Sequence, residues 1–179
     1  MPDTGPLSPA TVVNVGIGGE PWTNPMDAAA CGAGVYASCV FPAFPPDVFS
    51  DLLRATDYAG TVPVGATVDG FRVDVDRHKS LPASLTDLEV FFLKAGARVG
   101  LNLALPGEWP LLDAVQSYGG PNELGGVAWT VAEANTQFGF EISFTTPAGL
   151  QGGFIECFPV TIFFTLASGA KGWLLRGCD

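Results

Sequence analysis

Cations are scarce in this chain. Its 179 residues include eight Lys and Arg against 18 Asp and Glu, a formal net charge of −10, with a single histidine. A surface of that sign repels phosphate backbones, and no basic stretch with interleaved aromatics occurs, so nucleic acid is excluded as a partner. Charge of either sign is also sparse. With 15% charged and 47% hydrophobic residues, 13 of them Phe, the chain has material for a core and lacks the composition of a disordered protein. Long apolar runs are missing too. The longest, from Phe158 to Ala167, is broken by Pro159 and two threonines and falls far short of the roughly 20 residues that span a bilayer. Neither a basic nor an apolar leader follows Met1, which predicts a soluble protein made in a cytoplasm, with no membrane partner.

Motifs for common chemistry are equally thin. Cys31, Cys39, Cys157 and Cys178 have no zinc or redox spacing, and without a secretion signal they read as buried or unpaired thiols, with Cys178 exposed. Gly16-Ile17-Gly18-Gly19 has the wrong spacing for a dinucleotide loop, and no phosphate-binding motif is present. No cofactor and no metal are expected. His78, between Arg77 and Lys79, reads as a surface residue at a strand end, and flanking cations suit it poorly to acid catalysis. A hydrolase would have to use Cys39 with His78, or Asp74 with Asp76. Those two carboxylates, about 7 Å apart on one strand face, read more simply as solvated charges beside Arg72 and Arg77.

What is abundant is punctuated alternation. The 23 Gly and 15 Pro lie dispersed between short apolar runs, as in tight turns joining strands. In Phe71–Arg77 apolar and charged side chains alternate, placing Phe71, Val73 and Val75 inward and Arg72, Asp74 and Asp76 in water. Leu88, Val90 and Phe92 share a face within Asp87–Lys94. Phe138, Phe140, Ile142 and Phe144 form a third inward set, and Val160, Ile162, Phe164 and Leu166 a fourth. The face opposite that fourth set carries Phe158 and Phe163, more apolar than water contact requires. Further strands are predicted at Thr11–Val15 and Trp173–Leu175, with Val48–Arg54 either a strand or one helical turn. Phe41–Pro46 is proline-rich and reads as a surface loop. Asp69-Gly70 reads as a turn or bulge. The sole helical signal is Thr130–Asn135, where Thr130 and Glu133 stand at capping-box spacing. The expected fold is all-β, an antiparallel β-sandwich with at most one short helix, made of an irregular N-terminal arm (1–10) and a single domain (11–179).

The least generic segment is Tyr118-Gly119-Gly120-Pro121-Asn122-Glu123-Leu124-Gly125-Gly126, closed by Trp129. Glycines permit positive φ and close approach, Pro121 fixes an angle, and Tyr118 and Trp129 offer broad area with a polar tip. Such a loop is built for shape and carries no nucleophile. Trp109, Tyr118 and Trp129 are the aromatics suited to stacking on a sugar, should they be exposed.

The order of motifs completes the reading. Trp22-x-Asn24-Pro25, Gly34-Val35-Tyr36-Ala37, Val64-Gly65-Ala66-x-Val68-Asp69-Gly70-Phe71, the Tyr118-Gly119-Gly120-Pro121-x-x-Leu124-x-Gly126 loop and Phe138-Gly139-Phe140 follow one another over residues 22–166. This succession resembles a jelly-roll-like β-sandwich domain of tailed-bacteriophage structural proteins. Glu123 stands where that family commonly has Asp, and Gly125 where it often has Trp. The resemblance implies a non-enzymatic virion component, a head-decoration or head–tail or tail accessory subunit, with other virion proteins as partners and a homo-oligomeric state. It supplies no catalytic residues. The candidate interaction surface is Tyr118, Trp129, Trp109, Phe163, Phe158, Phe41 and Phe44. The alternative is a carbohydrate-binding, adhesin-like module with a glycan as partner.

Overall fold

The computed structural model describes residues 1–42, 49–82, 84–147 and 151–167. Ten strands are formed: β1 (Pro9–Val15), β2 (Ala37–Val40), β3 (Leu52–Tyr58), β4 (Thr67–Lys79), β5 (Thr86–Lys94), β6 (Ala97–Val99), β7 (Ala114–Gly119), β8 (Phe138–Thr145), β9 (Gly152–Cys157) and β10 (Val160–Thr165). One helix, α1 (Val131–Thr136), and a 3-10 turn at Pro25–Ala29 complete the described elements. Helix α1 begins as its sequence predicts: Thr130 accepts from the Glu133 amide and Glu133 reaches back to the Thr130 amide, a full capping box.

Every strand pairing is antiparallel. One sheet runs β1-β3-β8-β5-β6. In the other, β9 and β10 follow one another along the same edge of β4, with Cys157 opposite Asp76 and Val160 opposite Val73, and β7 takes the remaining edge. The Pro159 carbonyl accepts from the Asp74 amide between them, so β9 and β10 act as one kinked strand. Counting that pair once, the second sheet reads β7-β4-β9/β10-β2. The chain alternates between sheets at β2 to β3, β3 to β4, β4 to β5 and β6 to β7 to β8. Two four-stranded sheets wound this way are a jelly roll, with β1 added outside β3.

The inner faces match the alternation. Phe71, Val73 and Val75 are buried, as are Phe138, Phe140, Ile142, Phe144, Val160, Ile162 and Phe164. Phe71 stacks on Phe138 with ring centroids 4.4 Å apart. Each such side chain contributes about 1.5–3 kcal/mol of burial. Leu166 lies past the end of β10 and is exposed. Leu88 is exposed as well, because a bulge between Asp87 and Glu89 breaks the phase of β5 and turns Asp87 inward. A second bulge falls at Asp69, between the pairs Phe163–Gly70 and Phe164–Val68, as the Asp69-Gly70 dipeptide suggested.

Several segments depart from expectation. The first residues, read as an irregular arm, are stitched to β10: Thr4 and Leu7 donate to Ile162 and Val160 at 3.1 and 2.8 Å, and Phe164 donates to Pro2 at 3.1 Å. The chain then crosses to the other sheet as β1, so its first 15 residues tie both sheets together. Strands β6, β7 and β9 carry too few alternating residues, or too many glycines, to be found by pattern. Phe41 is wholly buried against Phe144 rather than on a surface loop. Phe44 and Trp173–Leu175 lie outside the described residues.

Candidate functional site

The Tyr118 loop grows directly from β7 and is fastened back onto β4. The Gly120 amide donates to Phe71 O and the Phe71 amide to Glu123 O, at 2.8 and 2.9 Å. That closeness needs glycine on both sides. A Cβ on Gly70 would collide with the Gly120 carbonyl and lie 2.6 Å from the Pro121 carbonyl carbon. On Gly119, at φ +76°, it would collide with the Phe71 carbonyl and lie 2.6 Å from the Phe92 ring. The aromatics at either end point inward. Trp129 packs at 4.8 Å on Phe71 and donates its indole N–H to the Leu124 carbonyl at 2.9 Å.

Tyr118 reaches a polar cluster inside the sandwich. Asp87, brought inward by its bulge, forms an ion pair with Arg77, and both side chains are almost fully buried. The carboxylate also accepts from Tyr118 Oη at 2.7 Å, Trp109 Nε1 at 2.8 Å and the Leu105 amide at 3.1 Å. Arg77 lies 4.6 Å from the centre of the Trp109 ring and also donates to Tyr118 Oη. Burial drives the Tyr118 phenol far above its ordinary pKa, so it stays a neutral donor. Four donors saturate the carboxylate, which leaves it no free lone pair for proton transfer. The cluster joins β4, β5, β7 and the Trp109 loop, and its chemistry is that of a rivet. Outside it, Leu103, Leu105 and Ser117–Glu123 line an open cleft of about 480 Å³.

A second polar group lies on the outer face of the same sheet. His78 Nδ1 is 2.7 Å from Asp113, whose other oxygen accepts from Tyr36 Oη at 2.9 Å. The imidazole stacks on Phe154 at 4.8 Å and meets the Tyr36 ring edge-on at 4.9 Å. Beside it, burial together with the carboxylates of Asp113 and Glu156 holds Asp76 above the usual carboxylate range, and Asp76 Oδ1 is buried with no donor. Asp74 is occupied by Arg72 and by Ser117 Oγ at 2.5 Å. Among the described residues no three His, Cys, Asp or Glu converge as a metal site.

This geometry revises several expectations. Cys31 and Cys157 form a disulfide across 126 residues, where unpaired thiols were expected. The pairing of β2 with β9 carries the loop before β2 to the end of β9, a proximity no local spacing encodes. Cys39 remains a free thiol, buried, its pKa pushed up by desolvation. It points into the core from β2, whereas His78 lies on the sheet's outer face, so the sheet separates that presumed dyad. Cys178 lies outside the described residues. Of the expected interaction surface, Tyr118, Trp109, Trp129, Phe158 and Phe41 are core residues with at most 8% exposure. Phe163 is half-buried on the outer face beneath Arg72, with the guanidinium 5.8 Å from its ring. Sequence reasoning also missed Arg77 as an internal cation, although its position is in phase with Phe71, Val73 and Val75.

No known protein family, curated protein or solved structure matches the chain significantly.

Proposed function

We propose that the protein is a non-enzymatic structural subunit of a tailed-bacteriophage particle, a head-decoration or head–tail or tail accessory component acting through protein–protein assembly. The observation that carries this reading is the jelly-roll strand order, with the Tyr118–Trp129 loop built into its frame, since this topology recurs in viral capsid domains. The Cys31–Cys157 bridge adds support. Disulfides persist in oxidising settings, of which a released virion surface is one, and are rare in cytosol. The net charge of −10 keeps free subunits soluble and offers complementarity to a basic capsid or tail patch. Jelly rolls also occur in lectins, but the glycan reading rested on Trp109, Tyr118 and Trp129. All three are internal, which removes that stacking platform.

The test is to purify particles from the lysate of the encoding host, quantify the chain by mass spectrometry and locate it by antibody-labelled electron microscopy. A fixed number of copies at one place on head or tail is expected. Particles lacking the protein overturn the reading.

A further inference from the structure

Among the described residues one strand edge of the sandwich is covered by no other segment of the chain, its only cap being Gln116 Nε2 on the Ser117 carbonyl at 3.2 Å. Exposed edges invite pairing with another chain, and stable monomers blunt them with charge, proline, short strands or covering loops. The other edges here follow that rule. The 3-10 turn and Trp22 cover β1: the Val12 amide donates to Met26 Sδ and the Trp22 amide to Asn14 Oδ1. Thr23 exchanges two hydrogen bonds with Ser38 along β2. The N-terminal residues, with Pro2, Asp3 and Pro6, cover β10. Strand β6 has only three residues, one of them the charged Arg98.

Strand β7 differs. Its six residues, Ala114-Val115-Gln116-Ser117-Tyr118-Gly119, contain neither charge nor proline, and among the described residues its only strand partner is β4. Just ahead of it, Leu111 and Leu112 are 51% and 82% exposed, and Val115 is 62% exposed. Past its other end opens the cleft walled by Leu103, Leu105 and Ser117–Glu123, where the Glu123 carboxylate accepts from the Gly125 amide.

We propose that two copies of the chain pair antiparallel through β7 about a two-fold axis at Gln116. The strand is its own complement under that operation. Leu112 precedes the axis by as many residues as Gly120 follows it, and Leu111 and Pro121 correspond in the same way. Pairing therefore carries the exposed leucines of each copy to the cleft of the other, which is the self-complementary patch an isologous interface requires. Charge favours this stripe over other surfaces. Two bodies of net charge −10 repel, yet no carboxylate occurs from Ala114 to Asn122, and Asp113 is already held by His78 and Tyr36. The pairing rests on the edge alone and stands or falls independently of where the protein is located.

Sedimentation equilibrium on the full chain over about 1–100 µM tests it. A monomer–dimer equilibrium is expected. Val115→Lys places two lysines near the axis and should raise the dimer Kd at least about tenfold, as should Leu112→Glu. Val64→Lys, at a fully exposed site elsewhere, should leave Kd unchanged. Thermal melts by circular dichroism, taken dilute enough that every chain is monomeric and unaltered in all three variants, establish that each is folded. A wild type that stays monomeric over this range overturns the proposal, and so does a dimer that both edge variants leave intact.

Discussion

Replacing Asp87 with Ala should cost more stability than almost any other single change in this protein. Among the described residues the carboxylate is the sole acidic partner of buried Arg77 and the shared acceptor for Tyr118, Trp109 and the Leu105 amide. Its removal leaves a cation in the interior and three donors unsatisfied. Breaking a buried pair from one side costs roughly 3–5 kcal/mol, out of a total stability of about 5–15 kcal/mol for a domain. Tyr118→Phe deletes two hydrogen bonds to charges, the one it donates to Asp87 and the one it accepts from Arg77, while keeping the ring, and should cost at least about 1.5–3 kcal/mol. The diagnostic variant is the double replacement Arg77→Met with Asp87→Leu. Without the cation there is no desolvated charge to strand, although the Tyr118, Trp109 and Leu105 donors stay unpaired, so the double variant should recover part of the loss and be more stable than Asp87→Ala. Urea unfolding followed by tryptophan fluorescence and far-ultraviolet circular dichroism measures each value. A loss below about 1 kcal/mol for Asp87→Ala would refute the claim that this pair is desolvated. A double variant no better than the sum of its singles would refute the coupling.

Other outcomes follow from neighbouring features. Reducing Cys31–Cys157, which closes a loop of 126 residues, should lower stability by about 2–5 kcal/mol; a melting temperature indifferent to reductant, with no new thiols titrating after it, rules the bridge out. Asp76 is held above the usual carboxylate range by burial, Asp113 and Glu156, with His78 opposing. A carboxyl raised on folding binds its proton better in the native state, so it costs stability as pH climbs from the unfolded pKa through the folded one. Asp76→Asn should therefore be more stable than the parent at neutral pH and lose that advantage below about pH 3; an advantage that grows in acid contradicts this assignment. Within the Tyr-Gly-Gly-Pro loop the two glycines should separate in urea melts. Gly119→Ala, at positive φ against Phe71 and Phe92, should cost at least about 2 kcal/mol, while Gly120→Ala meets nothing within 4 Å and should be close to neutral.

How much of this was legible in the sequence depended on whether the signal was local. Alternation in Phe71–Val75 and Phe138–Phe144 identified inward faces because a period of two is a property of the strand itself. The α1 capping box was readable for the same reason: Thr130 and Glu133 are three residues apart and bond each other. Information spread over distant segments stayed hidden. The bulge that turns Asp87 inward depends on how β5 meets β8, and the bridge from Cys31 depends on β2 lying beside β9. Aromatic residues misled most. Trp109, Tyr118 and Trp129 have polar tips, which suggested a wet surface, but Asp87 and the Leu124 carbonyl satisfy those tips inside the protein.

That last point moves the search for partners. A loop whose aromatics are committed to Asp87, Leu124 and Phe71 has no ring left to stack on another molecule and offers only the wall of its cleft, and its glycines serve to bring it onto β4. Its distinctiveness in the sequence thus reflects a demanding internal fit. Any assembly must draw on surfaces the core does not use, and those are marked by unsatisfied backbone or exposed apolar side chains. Strand β7 has both, with Val115, Leu111 and Leu112 in water beside an open ladder. The same strand ends in Tyr118, so the rivet that fixes the loop also fixes the edge. An Asp87→Ala protein that still folds should therefore self-associate more weakly than the parent although the substitution is buried, whereas Val115→Lys should weaken association and leave the urea midpoint of the monomer unmoved. Weaker association from both, with stability lost only in the first, separates a rigid edge from a sticky one.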